Sequence, residues 1–391
     1  MSRSIPPKPR NWSWRSQALR GVVYQILAVA LIGLAVWFLA HNTLTNMRVR
    51  GIQSGFDFLS QPAGFSIGES LYPFDSAESY WRAFGVGVTN TLRVAVVGIV
   101  LATLLGTLIG IGRFSRNALV RGLCVAYVEC FRNIPVLLQL LMWYLLLTEV
   151  LPSTMDAWKV GPFYLSKGGL NFPIPHWAAG HVWAVGGLFV GFLLAWGYRR
   201  WAIHRFEASG QAPSLWMLPL LLVVAATGLG WWLGGAPAAF DMPFKGDFSI
   251  ENGGAITPEF TAVLLGLTIY TTAFIAEVVR AGIVSVPGGQ GEAAAALGLS
   301  RGQEVRLITL PQALRVIIPP LTNQYLNLTK NSSLAVAIGY PDVVSIANTA
   351  MNQTGRAVEC ITIVMAVYLT TSLLTSLLMG WYNARAAIRE R

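Results

Sequence analysis

Three groups of residues have the types and spacing to do chemistry. The first is Gly298-Leu299-Ser300-Arg301-Gly302, which has the G-x-S-x-G spacing of a hydrolase nucleophile elbow. That chemistry needs a strand before the serine and a histidine and an acid beside it. Here an alanine-rich, helix-forming run precedes it, and His41, His176, His181 and His204 all fall in segments expected elsewhere. No catalytic residue is therefore assigned. The second group is Asn323, Asn327 and Lys330 at i, i+4 and i+7, with Gln324 and Asn331 nearby, a spacing that gathers them on one helical stripe. Amides and an ammonium on one stripe can meet a zwitterion, or they can bond neighbouring helices while Lys330 pairs with a carboxylate or reaches outward. The third group is Glu129, Arg132 and Asn133 with Glu277 and Arg280, readable as a charge network or as interfacial anchors. Cys124, Cys130 and Cys360 are odd in number and form no C-x-x-C pair, so neither a metal site nor a disulfide framework is expected. No G-x-x-x-x-G-K-[ST] phosphate loop occurs.

The elements that must position these groups are unusually apolar. Charged residues make up 12% of the chain, about half the fraction typical of a soluble domain. Residues 21–42, 94–112, 179–198, 215–236 and 360–382 contain no Asp, Glu, Lys or Arg, and a run of roughly 18 such residues reads as a membrane span. The block 134–148 is shorter, but it continues upstream through 123–131 and is read with it as one helix. The net charge of +10 sits mostly in short loops, which points to membrane topology rather than nucleic acid.

The first apolar block is too long for a cleavable signal and lacks a small-x-small site, so it reads as a retained helix. The basic tail with Arg3, Lys8, Arg10, Arg15 and Arg20 is expected in the cytoplasm. Loops carrying Arg113, Arg116 and Arg121, then Arg199, Arg200 and Arg205, then Arg385, Arg389 and Arg391, fall on the same side. Arg48 and Arg50 lie on the other side, against the trend. The expectation is an all-α integral membrane protein with about eight transmembrane helices and both termini cytoplasmic. The spans are expected near 21–42, 94–112, 122–150, 179–198, 215–236, 258–282, 313–339 and 357–382. Gly106/Gly110 and Gly187/Gly191 have the spacing for close helix packing, although among 39 glycines it can arise by chance. Pro319-Pro320 predicts an irregular seventh helix.

Between the sixth and seventh spans, residues 290–311 read QGEAAAALGLSRGQEVRLITLP. Residues 292–297 favour a helix, with Glu292 at its positive N-terminal end. Gly298 falls where a left-handed C-cap is expected, and Ser300 with Gln303 has the capping-box spacing that starts a second helix. Pro311 disfavours helix at Leu310. Two short helices meeting at a glycine corner are predicted, the first with a flat alanine face suited to docking. Glu292-Ala293-Ala294, then Gly298 after three intervening residues, Ile308 after nine and Leu310-Pro311 after one resemble the EAA motif of ABC importer permeases. The stretches YVECFRNIPVLLQ from Tyr127, FIAEVVRAGIVSV from Phe274, LPQALRVIIPP from Leu310 and LTKNSSL from Leu328 are similar to the polar amino-acid branch of that family. GFDFL and AGFSIGES in 50–90, the extra first helix and the 151–257 insertion resemble the larger permease of general L-amino-acid transport systems.

The resemblance implies a five-helix ABC importer permease core in 91–150 and 258–391, with additions at 1–42, 43–90 and 151–257, the last holding two extra helices. It implies that the loop 283–312 docks in an ABC ATPase subunit through Glu292, Ala293, Ala294, Gly298 and Ser300. Ile308, Leu310 and Pro311 would return the chain to the bilayer. From their spacing, and not from the likeness, Asn323, Gln324, Asn327 and Lys330 are the candidates to border the path. Two ATPase copies holding ATP-Mg, a second and different permease, a periplasmic amino-acid-binding protein and a location in the bacterial inner membrane follow from the same likeness. No cofactor is expected in this chain. An ion-coupled secondary transporter would also carry polar, proline-interrupted helices, but it needs no docking loop. A scaffold protein would account for the spans but not for the polar helix beside that loop.

Overall fold

A computed structural model describes residues 17–49, 51, 54–209, 214 and 216–386. Arg3, Lys8, Arg10, Arg15, Arg50, Arg389 and Arg391 lie outside the described residues. In chain order the helices are α1 (Gln17–Val49), α2 (Tyr80–Gly112), α3 (Ala118–Asn133), α4 (Val136–Glu149), α5 (Ala179–Ser209) and α6 (Met217–Leu233), then α7 (Pro258–Val284), α8 (Gly288–Ala296), α9 (Arg301–Glu304), α10 (Leu310–Asn331), α11 (Val343–Thr354) and α12 (Ala357–Ala386). Five of them, α1, α2, α5, α7 and α12, are long and apolar enough to cross a bilayer, and two bent pairs, α3 with α4 and the α10 segment with α11, raise the number to seven if each is one span. The remaining expected span, at 215–236, is α6, which has 17 residues and rises about 25 Å, short of a hydrocarbon layer about 30 Å thick. The 33 residues of α2 rise about 50 Å, so this helix exceeds that thickness, and it begins well before the expected start at 94.

The described residues cluster into two compact units, one made of residues up to Leu92 with Pro341–Thr375, the other of Arg93–Tyr340 with residues from Ser376 on. In the larger unit, Ala102, Leu140, Leu267, Ile275, Ile317 and Leu328 are buried in one core. The two glycines Gly106 and Gly110 make that core possible. A Cβ at Gly106 would lie 2.6 Å from Ile275 Cγ2, and one at Gly110 would lie 2.8 Å from the Ala276 carbonyl oxygen, so α2 and α7 touch through backbone. Gly187 and Gly191 do the same for the inserted hairpin, approaching the Ala226 carbonyl and Val223 Cα of α6. Both pairs therefore serve packing. α7 starts at Thr257, whose hydroxyl accepts from the Phe260 amide at 3.1 Å, with Pro258 in the first turn.

The expected continuous helix over 122–150 is instead broken, and α3 and α4 meet at a bend of 106°. The residue before a proline is pushed into extended backbone, and Ile134 adopts φ −99°, ψ 128° ahead of Pro135. The buried Gln139 amide donates to the Phe131 and Ile134 carbonyls at 3.0 and 2.9 Å, satisfying groups the break leaves without helical partners.

The segments 151–178 and 237–257, read as loops, contain short strands. β1 (Trp158–Val160), β2 (Phe163–Ser166) and β3 (Gly169–Phe172) form an antiparallel sheet that ends on β8 (Gly254–Ile256). Leu170 pairs with Ile256 and Phe172 with Gly254. β4 (Ile174–Pro175) pairs with β5 (Phe240–Asp241), and β6 (Phe244–Lys245) with β7 (Ile250–Glu251). The architecture remains helical, with this small β cap added.

In the smaller unit, the segment after α1 is strapped down by polar bonds. Asn90 Nδ2 donates to the Glu69 and Pro341 carbonyls at 2.8 and 2.9 Å. The buried Arg356 donates to the Gly55 carbonyl at 2.9 Å and pairs with Asp57 at 3.2 Å, while Glu359 accepts from the Gly55 amide at 2.7 Å. Phe58, Leu59, Phe84, Val343, Ile346 and Cys360 fill its core.

Candidate functional site

The glycine corner forms as the local chemistry dictates. Gly298 has φ +77°. Its amide donates to the Ala295 carbonyl at 3.0 Å and the Leu299 amide to the Ala294 carbonyl at 3.1 Å, the two bonds of a Schellman motif. Ser300 then caps α9 reciprocally: its amide donates to Gln303 Oε1 at 2.9 Å and its hydroxyl accepts from the Gln303 amide at 3.4 Å. That hydroxyl is spent on the cap, and a helix rather than a strand precedes it, so the nucleophile-elbow geometry is not formed.

Two details of the segment differ from the sequence reading. α8 begins at Gly288, after Pro287, so Glu292 sits inside the helix and not in its first turn. Glycine disfavours helix, which hides this start, but Gly291 lets α8 lie close on Glu304, whose Oε1 would be 2.9 Å from a Cβ there. Leu310 is helical, at φ −62°, ψ −46°. Val305–Thr309 forms a π-helical turn in which the Leu310 amide donates to the Val305 carbonyl, and this wide turn gives the Pro311 ring room that a regular turn denies. The irregularity expected at Pro319-Pro320 lies here instead, and α10 runs through both prolines.

The residues of the motif separate by exposure. Glu292, Ala293, Ala296, Leu297 and Gly298 are exposed, Leu297 at 78%, whereas Ala294 is buried at 1%. Ala294 thus holds α8 in place and the others make its free face. Ser300 is exposed, Ile308 and Pro311 are half-buried, and Leu310 is exposed at the start of α10.

α10 carries the polar stripe. Val316, Pro319, Asn323, Asn327 and Lys330 are exposed, Gln324 and Asn331 are half-buried, and Ile317, Ile318 and Leu328 are buried on the other side. Among the described residues, the side chains of Asn323, Gln324, Asn327 and Lys330 make no hydrogen bond or ion pair. Bonding among the described residues therefore does not account for the stripe. Uncovered amides and an ammonium at membrane depth require water or another subunit beside them.

The charged groups on α3 and α7 do assemble. The Glu277 carboxylate accepts from Arg113 at the end of α2 and from Arg280, with Arg132 Nη1 3.9 Å away. The Arg132 guanidinium also lies 5.3 Å from the Phe274 ring centroid. One carboxylate thus ties three helices together. The sequence showed Glu277, Arg280 and Arg132 but gave no sign that Arg113 joins them. Glu129 and Asn133 are exposed, and only the Glu129 backbone carbonyl takes part, accepting from Asn133 Nδ2 at 2.6 Å.

Comparison with known proteins adds a common thread. The family model described as binding-protein-dependent transport system inner membrane component matches residues 187–388. The chain is 48% identical to the general L-amino acid transport system permease protein AapQ of Rhizobium johnstonii, over 99% of this chain and 98% of that one. It is 45% identical to the putative amino-acid ABC transporter permease protein YhdX of Escherichia coli, over 97% of each. It is 38% identical to the glutamate/glutamine/aspartate/asparagine transport system permease protein BztB of Rhodobacter capsulatus, over 95% of each.

Proposed function

The chain belongs to the binding-protein-dependent transport system inner membrane component family, and from that premise we propose that it is the amino-acid permease subunit whose α8–α9 corner is driven by a separate ATPase. It is a multi-pass inner-membrane ABC transporter permease. The corner faces the cytoplasm with both termini, a second, different permease completes the pathway, and two ATPase copies holding ATP-Mg supply the work. A periplasmic amino-acid-binding protein delivers substrate at the opposite face. The named relatives share amino-acid transport, and the common chemistry of those substrates is a carboxylate beside an ammonium. Lys330 suits the first, and the amides of Asn323, Gln324 and Asn327 suit both.

The observation that carries this reading is the exposed, doubly capped corner joined without a break to α10. The Schellman and capping-box bonds fix its shape, and Glu292, Ala293 and Leu297 present a face with no partner element among the described residues. Beyond the wide turn, the 22 residues of α10 form a rod about 33 Å long. A push at the corner is delivered along that rod to the polar stripe. Co-purification with the neighbouring subunits in lipid, followed by ATP hydrolysis measured with and without amino-acid-loaded binding protein, tests the assignment. Uptake that survives ATP depletion but stops when ion gradients are dissipated would refute it in favour of a secondary transporter.

A further inference from the structure

An apolar groove of about 600 Å³ lies along the face of α10 turned away from the polar stripe. Leu310, Leu314, Ile317, Leu321 and Tyr325 line it, and from the first to the last the helix rises about 22 Å. One leaflet of hydrocarbon is about 15 Å deep, so a tilted groove of this length runs from the membrane surface to the midplane. Thr107 and Ile111 of α2 form one wall and Met379 and Tyr382 of α12 another. The hydroxyls at its deep end are already used: Thr103 donates to the Ile99 carbonyl at 2.6 Å and bonds the Tyr325 hydroxyl at 2.9 Å. The hydroxyls of Thr107, Thr309 and Tyr382 are the other polar groups of the lining, and the rest is apolar, so a polar solute finds few groups to bind while a hydrocarbon chain displaces little water from polar surface. Asn323 and Asn327 are about 200° around α10 from Leu321 and Tyr325, so if the stripe meets water or a partner, the groove opens toward lipid.

The shallow end is basic. Arg306 follows the lining residue Val305, is exposed and makes no ion pair among the described residues. Arg385 lies one turn beyond Tyr382, its guanidinium 3.9 Å from the Trp381 ring centroid. Glu304, the nearest acid in sequence, is turned toward Gly291 of α8.

We infer that this groove holds one acyl chain of an anionic phospholipid, with its phosphate against Arg306 and Arg385. The chain fills the space beneath the Val305–Thr309 turn, so the bound lipid packs against the segment that links the corner to α10. This goes beyond the transport assignment, and its test needs neither transport nor an ATPase.

The full-length chain, purified and delipidated in detergent, is titrated with phosphatidylglycerol or phosphatidylcholine and read by native mass spectrometry. One phosphatidylglycerol is expected to bind at least about tenfold more tightly than phosphatidylcholine, the scale that two basic groups give at an anionic surface. Thr107→Trp and Met379→Trp, which fill the groove from different helices, should each abolish that adduct. Arg306→Gln combined with Arg385→Gln should equalise the two lipids while leaving one bound. Equal binding of the two lipids by the wild type, or wild-type adducts in a tryptophan variant whose thermal melt is normal, would overturn the proposal. If both tryptophan variants fail to fold, crosslinking from Thr107→Cys in the native membrane decides. Capture of a photoactivatable phosphatidylglycerol supports the site, and capture of a partner-subunit helix refutes it.

Discussion

Replacing Gly298 with valine isolates the corner, because the position is open. A Cβ there meets nothing within 4 Å, so any effect comes from the backbone angle and not from a clash. At φ +77° an L-residue pays about 1–2 kcal/mol, with a β-branched one at the upper end. If the corner relaxes, the two Schellman bonds are lost as well, each worth about 1 kcal/mol. The backbone strain alone weakens binding of the ATPase by about 5- to 30-fold, and a corner that has also lost both bonds by about 100-fold or more, since 1.4 kcal/mol is a factor of ten. The assay is binding of the purified ATPase to permease in lipid, with membrane insertion followed by protease protection. Asparagine tolerates the left-handed region better than alanine or valine, so the affinities should fall in the order Gly, Asn, Ala, Val while insertion stays normal. Wild-type ATPase binding by the valine variant would refute the reasoning. So would equal losses in the asparagine and valine variants, which would show that the side chain, not the turn, is being read.

Further outcomes follow from the membrane part of the chain. Asn327→Leu should lower amino-acid uptake at least about tenfold, the loss of one hydrogen bond to a charged group, with normal expression and ATPase binding. Unchanged uptake would remove the stripe from the path. Glu277→Gln leaves Arg113, Arg280 and Arg132 without their shared carboxylate and should destabilise the chain by about 1–3 kcal/mol, seen as a lower melting temperature in detergent. An unchanged melt would reduce the cluster to surface anchoring. Gly106→Leu, which would drive a side chain into Ile275, should prevent stable assembly of α2 on α7, read as loss of folded protein after solubilisation. Folded protein with a wild-type melt would contradict the backbone contact.

The corner was legible because its whole design is local. Gly298, Ser300 and Gln303 carry bonds spanning at most five residues, and such bonds leave their mark in residue types. The proline rule shows where locality ends. It fails at Leu310, where a π-helical turn accommodates the ring, and it holds at Ile134, where Gln139 ties off the break. The flanking sequence does not distinguish these settings. The glycine pairs were ambiguous for a similar reason: spacing alone permits close packing, and the partner surface of Ile275 and Ala276 decides whether it is used. The β cap was invisible because Leu170 meets Ile256 across the inserted hairpin. The stripe on α10 was legible in its periodicity, but whether its amides were already bonded within the chain was a question only the folded helix answers.

The strand pairing of β3 with β8 has a consequence for how the inserted hairpin is attached. Phe172 and Gly254 face each other across the ladder, so the two ends of everything between them are neighbours in space. A tight two-residue turn is enough to connect antiparallel strands at that distance, and segments whose ends lie together are those that proteins gain and lose most readily. The α5–α6 pair is thus attached like a cassette, clipped in at one seam. Phe172 and Gly254 linked by a simple bend would keep the ladder, and with it the entry into α7.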